Sequence, residues 1–229
     1  MIKGSGDFMN TTDQLIFKFP SGSAYLKEDF YVSPSNKQAY DFINSWPKWL
    51  KRMINIYGPP GSGKTHLTSF LKKKTSVLEI NSSELNDKTF FDFKTKEALI
   101  FKNLNENVSE NLLYSIWNTA LQDNKYLLIT SIKPINNYKF KLPDLKSRVK
   151  SCINIGISLP SDDLISVILA KNFSDKQIKI EEKHIDFIVK RIDRSYEKIS
   201  EFILTLDKYS LKKGSPFTLK LIKDVLKMI

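Results

Sequence analysis

With 229 residues, of which 41% are hydrophobic and 27% charged, the chain has room for one medium domain or for a core with a small satellite, and its composition excludes a disordered or fibrous protein. No apolar run reaches the ~18 residues of a membrane span, and the single cysteine, Cys152, excludes an internal disulfide, so a cytoplasmic protein with no membrane contact is expected. A formal charge of +11 admits a polyanionic partner, yet no arginine-rich helix or DNA-reading motif accompanies it, and the lysines read first as a solvated surface.

The first eight residues precede a second methionine, Met9, and are set aside. Residues 9–22 are polar and short of helix signals, which predicts a flexible tail. Ser35 followed by Gln38 fits a capping box, and a helix is expected from residue 36 to about 50, with Ala39, Phe42, Ile43 and Trp46 on one face. Short apolar runs at 53–57, 77–80, 98–101, 126–130 and 153–157 then alternate with helical stretches at 64–74, 109–122 and around 143–150. That alternation predicts an α/β body: a parallel sheet with helices on both faces. After Leu159-Pro160 the strand signals stop. Residues 161–173, 181–192, 195–211 and 218–228 each read as an amphipathic helix, with Ser161 and Thr218 as N-caps and a break at Gly214-Ser215-Pro216. The predicted organisation is a tail over 9–22, a nucleotide-binding α/β domain over 23–158 and a small all-helical domain over 159–229.

Gly58-Pro59-Pro60-Gly61-Ser62-Gly63-Lys64-Thr65 matches the phosphate-loop pattern G-x-x-x-x-G-K-[ST]. A buried strand precedes it and a helix follows, which is the context the motif needs. The glycines let successive backbone N–H groups converge on phosphate oxygens, and the helix N-terminus adds the positive end of its dipole. Lys64 is expected to reach the β- and γ-phosphates, and the Thr65 hydroxyl to bind Mg²⁺.

A phosphate-loop enzyme normally ends a second strand on an acid that manages the metal. Here the run at 98–101 ends on Lys102, followed by Asn103 and Asn105, with Glu106 four residues beyond the strand. The run at 77–80 leads to Asn81 and later Glu84, and the run at 126–130 to Thr130 and Ser131. A lysine there opposes Mg²⁺ but neutralises phosphate, so the residues favour a nucleotide binder whose own ATPase activity is weak or absent. The alternative is that Glu106 folds back to serve as the acid. One stretch stands out in charge: residues 133–150 hold Lys133, Lys139, Lys141, Lys146, Arg148 and Lys150 against Asp144 alone.

These residues together resemble the DnaA-related family of AAA+ proteins over nearly the whole chain from Thr12 onward, and most of all its short Hda-like regulators. "GPPGSGKTHL" is similar to the family's phosphate loop, His66-Leu67 included. "EDFYVSPSNKQAY" resembles the segment packing near adenine, with Phe30, Val32 and Asn36 on its recurrent positions. "LLITSIKP" looks like the strand that senses the γ-phosphate, and "LPDLKSRV" like the box of the arginine finger, which places the finger on Arg148. "RIDRSYEKISEFILTLD" resembles the lid helix with its second sensor arginine, matched here by Arg194. The resemblance therefore implies ADP or ATP held by Phe30, Val32, Pro59, Pro60, Gly61, Ser62, Gly63, Lys64, Thr65, His66 and Arg194, with Mg²⁺ on Thr65. In the tail, "QLIFKF" resembles the clamp-binding peptide of bacterial replication proteins, with Gln14 at a pocket rim and Leu15, Phe17 and Phe19 in apolar pockets. The implied partners are the initiator DnaA and the polymerase sliding clamp, with self-association left open and no sequence-specific DNA-binding module. The departures from the family are Lys102, Asn103 and a chain that stops at the lid. The rival readings are an autonomous ATPase, a DNA-binding accessory factor and a scaffold that binds no nucleotide.

Overall fold

In the computed structural model of the chain, the described residues are 30–176, 180–213 and 218–229. The tail over 9–22, with Gln14, Leu15, Phe17 and Phe19, lies outside them, as do Gly214, Ser215 and Pro216. Five strands form one sheet: β1 Met53–Tyr57, β2 Val77–Asn81, β3 Ala98–Leu104, β4 Tyr126–Ser131 and β5 Ile153–Gly156. Their order is β2-β3-β4-β1-β5 and every pairing is parallel. Strands covered on both faces read as unbroken apolar runs, which is why five such runs were visible in the sequence.

Alternate residues of each strand enter different cores. Ile54, Ile56, Ala98, Ile100 and Leu128 pack against α1 (Lys37–Asn44) and α2 (Lys64–Lys72). Leu99, Phe101, Leu127 and Ile129 pack against α3 (Asp87–Lys94), α4 (Glu110–Gln122) and α5 (Pro143–Val149), around the buried Phe93, Trp117 and Leu145. A third core lies wholly in the C-terminal helices, α6 (Asp162–Asp175), α7 (Glu182–Val189), α8 (Tyr196–Lys213) and α9 (Leu219–Leu226). There Ile165, Leu169, Phe173, Ile188, Phe202 and Ile222 meet. Ser161 and Thr218 cap α6 and α9 as expected, each accepting from a backbone N–H three residues on at 3.3 Å. Among the described residues, no helix is long and apolar enough to cross a membrane.

Three local expectations fail. The capping box of Ser35 and Gln38 is not made: Ser35 bonds the Ser33 hydroxyl at 2.7 Å, and the N-cap is Asn36, whose Oδ1 accepts from Ser33 N–H at 2.9 Å. The first helix ends at Asn44 rather than near residue 50, because Pro47 has no N–H and disfavours a helical residue before it. The residues past the helix form an aromatic corner instead, with Trp49 stacked on Phe42 and Trp46 set edgewise against Tyr126. Finally, α3 was not anticipated, although Asn86 and Thr89 form a reciprocal cap that is readable as a helix start.

The centre of the sheet carries one polar group. Asn55 of β1 is fully buried; its Nδ2 donates to Ser131 Oγ at 2.8 Å and Ile129 O at 3.3 Å, and its Oδ1 accepts from Ile135 N–H at 2.9 Å. Ser131 Oγ in turn donates to Lys133 O at 2.7 Å, so the turn after β4 is tied to β1. Asn55→Ala strips these bonds inside the core and is expected to lower the unfolding free energy by about 2 kcal/mol, seen as an earlier urea midpoint with an unchanged slope.

Candidate functional site

The loop between β1 and α2 is shaped by close approach. A Cβ on Gly58 would lie 2.7 Å from Ile157 O, so the chain crosses the end of β5 only as glycine. Gly61 (φ +74°) and Gly63 (φ +82°) take the left-handed backbone that turns the loop into α2. Lys64, the first residue of α2, folds back and donates from Nζ to Gly58 O and Pro59 O, both at 2.8 Å, and to Ser62 Oγ at 3.3 Å. Burial pushes its ammonium down from the ordinary value to about 8. Thr65 follows it, exposed at the first turn of the same helix.

Above the loop lies a cavity of about 430 Å³ between the α/β body and the C-terminal helices. Phe30, Tyr31, Asn36, Gly61, Ser62, Gly63 and His66 line it from the body; Leu164, Val167, Ile168, Lys171, Asn172, Asp175 and Tyr196 line it from the lid. Phe30 stacks on Tyr40 with ring centroids 5.7 Å apart, and His66 and Phe70 meet its edge and face at 5.3 and 5.8 Å. A flat aromatic wall beside a phosphate-binding loop suits a base on one side and its phosphates on the other. The start of α8 rests on the loop, since a Cβ on Gly61 would come within 3.0 Å of Tyr196 Cβ, and Tyr196 Oη donates to Ser158 O at 3.3 Å.

Of the expected nucleotide residues, Phe30, Gly61, Ser62, Gly63 and His66 line this cavity. Pro59, Pro60, Lys64 and Thr65 belong to the same loop and helix start, and Val32 is half-buried outside the lining. Arg194 is exposed, and its Nη2 donates to Asp162 Oδ2 at 3.0 Å at the start of α6, also outside the lining. Sequence reasoning missed Tyr196 and the α6 residues. Their helices were legible as amphipathic, but the face turned to the cavity depends on how the lid packs. Arg148 stands exposed in the last turn of α5.

The end of β3 is built differently from a metal site. Lys102 Nζ lies 2.5 Å from Glu79 Oε1, and Lys72 of α2 pairs with the other oxygen of the same carboxylate. Burial pushes the Glu79 carboxyl up, but the hydrogen bonds from Lys102 and Lys72 outweigh it and hold the group below its ordinary range. Asn103 takes a left-handed backbone (φ +58°) and donates its N–H to Thr130 Oγ1 at 3.1 Å. Glu106 does not fold back toward an open metal position; it pairs with Lys133 at 2.7 Å. Among the described residues, no group of three His, Cys, Asp or Glu side chains is placed to hold a metal. Thr65 is left as the oxygen donor of the expected Mg²⁺ set, and the surrounding residues do not suit a divalent cation.

A parallel sheet in this order, a phosphate loop after β1 and a helical lid closing over it give the chain the fold of AAA+ P-loop domains. The particular proteins it is similar to are bacterial replication initiators. In structure, domain III of DnaA from Thermotoga maritima matches 91% of this chain and 98% of its own, with a TM-score of 0.77 at 20% identity. AMPPCP-bound DnaA from Aquifex aeolicus matches 83% of this chain and 67% of its own, with a TM-score of 0.68 at 19% identity. In sequence, the chromosomal replication initiator protein DnaA of Borreliella afzelii is 24% identical over 90% of this chain and 48% of its own length. The chain thus spans about half the length of the curated relatives it matches. No protein-family model matches it.

The lowered Lys64 ammonium has a measurable consequence. A phosphate ligand favours the charged form, so the bound pKa lies above the free value of about 8. Affinity for a nucleotide is then fully present below the free pKa and is lost as pH rises toward the bound one. ADP titrations are expected to show binding that is flat up to about pH 7 and weaker by about tenfold near pH 9.

Proposed function

We propose that this chain is an Hda-like negative regulator of replication initiation, which holds an adenine nucleotide, ADP or ATP, and acts on the initiator DnaA in the cytoplasm. The observation that carries the reading is a complete phosphate loop under a lid-closed cavity, combined with Lys102 where a hydrolase keeps its metal acid. AMPPCP bound to a DnaA of the same fold supports an adenine nucleotide in the corresponding cavity. In this reading the loop amides and Lys64 hold the phosphates, Phe30 and His66 flank the base, and α6 and α8 transmit the presence of nucleotide to the lid. The nucleotide is a structural ligand that sets the lid against the body.

Arg148 is the finger given in trans. It projects from α5 within the basic stretch 133–150, and among the described residues no carboxylate pairs with it. The exposed Lys139, Lys141, Lys146 and Lys150 of the same stretch suit the triphosphate edge of a neighbouring DnaA subunit. A guanidinium delivered to a transferring phosphoryl group stabilises its developing charge and is worth about 10³–10⁵ in rate. The segment Gln14, Leu15, Phe17 and Phe19 gives the chain its grip on the sliding clamp, which brings the regulator to replicating DNA.

Arg148→Ala is expected to leave ADP binding unchanged and to abolish the stimulation of ATP hydrolysis by DnaA, measured as phosphate release from the mixture. Full stimulation by the variant sinks the finger assignment. Gln14→Ala is expected to weaken clamp binding by about tenfold with an unchanged melting curve, because the proposed hydrogen bond at the rim of the clamp pocket is lost. Robust phosphate release by the pure chain favours an autonomous ATPase instead.

A further inference from the structure

We infer that Glu110 is a positioning residue for Arg148: its carboxylate grips the backbone that leads into α5 and so sets the direction in which that helix presents the guanidinium. The inference rests on the finger reading above and names a group, on a different helix, through which that finger is aimed.

Three observations carry it. The first is the grip itself. Lys141 and Leu142 are the last two residues before α5, 31 and 32 positions away from Glu110 at the start of α4. The Lys141 N–H donates to Glu110 Oε1 at 2.8 Å and to Oε2 at 2.9 Å, and the Leu142 N–H donates to Oε2 at 2.6 Å. The Leu142 and Lys141 amides hold the carboxyl below its ordinary range, so the acceptor is an anion at neutral pH and the bonds are charge-assisted.

The second is how little else holds α5 in one direction. The helix has seven residues, too few to persist on its own hydrogen bonds. Its N-cap, Leu142, brings no side-chain oxygen, and Pro143 in the first turn has no N–H. Leu145 and Val149 are buried in the core beside α4, which decides the face that points inward. Apolar burial is not directional, whereas a hydrogen bond weakens steeply as its angle departs from linear, so the bonds to Glu110 resist a tilt that the apolar face tolerates.

The third is the placing of the two ends. α4 is seated by the buried Leu113, Ile116, Trp117 and Ala120, which makes its first residue, Glu110, a fixed point. Arg148 is exposed one residue before the buried Val149 and three after the buried Leu145, on the flank of α5, where a turn or tilt of the helix displaces it. The earlier part of the connection from β4 is tied elsewhere: Ile135 N–H donates to Asn55 Oδ1 at 2.9 Å and to Asn154 Oδ1 at 3.0 Å, and Tyr138 Oη donates to Leu104 O at 2.9 Å. Among the described residues, Glu110 is the tie next to the helix.

The test is phosphate release from ATP-bound DnaA, followed over a range of concentrations of the whole chain. Glu110→Ala is expected to lower the maximal stimulation by about tenfold and to move the half-saturating concentration by less than about twofold, because the docking face remains and the aim is lost. ADP binding is expected to be unchanged in affinity and stoichiometry, since Glu110 does not line the nucleotide cavity. Glu110→Gln keeps an acceptor oxygen and is expected to recover more than about half of the maximum. Full stimulation by Glu110→Ala overturns the inference. So does a loss that appears in the half-saturating concentration alone, or one that Glu110→Gln does not relieve. Should reduced ADP stoichiometry show that Glu110→Ala is misfolded, Glu110→Asp shortens the reach by one methylene and is expected to lower the maximum by about threefold. An unchanged maximum in that variant overturns the proposal. No stimulation by the unaltered chain overturns the finger reading itself, which is a different failure.

Discussion

The position of β1 between β4 and β5 is the constraint from which the site follows. Parallel pairing of Ile54 with Leu128 and with Ile153 brings the C-terminal ends of three strands to one edge of the sheet. The chain leaves β1 toward one side of the sheet and later enters β5 from the other, so the loop after β1 opens at a change of direction, where α/β sheets bind ligands. Asn55 enforces that arrangement from inside, since a buried amide that bonds β4 and the turn beyond it tolerates no slip of register. Gly58 N–H donating to Ser131 O at 3.1 Å then starts the phosphate loop from the same strand pair.

The lid depends on the loop as much as the loop depends on the sheet. Gly61 has no room for a side chain because Tyr196 sits on it, and Tyr196 is held by Ser158 at the junction between body and lid. Its buried ring and the α6 residues close the cavity, while the lid core around Phe173 and Phe202 stays separate from the two cores of the sheet. A ligand in that cavity touches both units, so it biases their relative setting through contacts and needs no chemical change in the ligand.

How much of this is legible in the sequence depends on the range of the interactions. The five strands, the phosphate loop and the caps at Ser161 and Thr218 are written in a few consecutive residues, although β3 runs on past its expected end at Phe101, through Lys102 and Asn103 to Leu104. The first helix is misjudged because its apolar face continues through Trp46 while Pro47 stops the backbone; the periodicity of side chains carries no information on a missing N–H. The partner of Lys102 is invisible for a different reason. Glu79 lies 23 positions earlier, on a strand that pairs with β3 only once the sheet has formed. Tyr196 and Lys171 reach the cavity through the packing of the lid on the body, which no local pattern encodes.

Lysine at position 102 reverses the usual relation between a phosphate loop and its chemistry. In a hydrolase the acid at the end of β3 serves the metal, and the metal serves the reaction. Here the side chain is drawn instead into an ion network with Glu79 and Lys72 that ties β2, β3 and α2 together. A half-buried pair of this kind contributes little net stability, because desolvation of the charges offsets most of their attraction. What it does contribute is a net positive charge held between β2, β3 and the last turn of α2. The exposed cations of 139–150, by contrast, stand in high dielectric, where salt screens them. The chain thus holds positive charge in two settings: a sheltered one around Glu79, and an exposed one that includes Arg148.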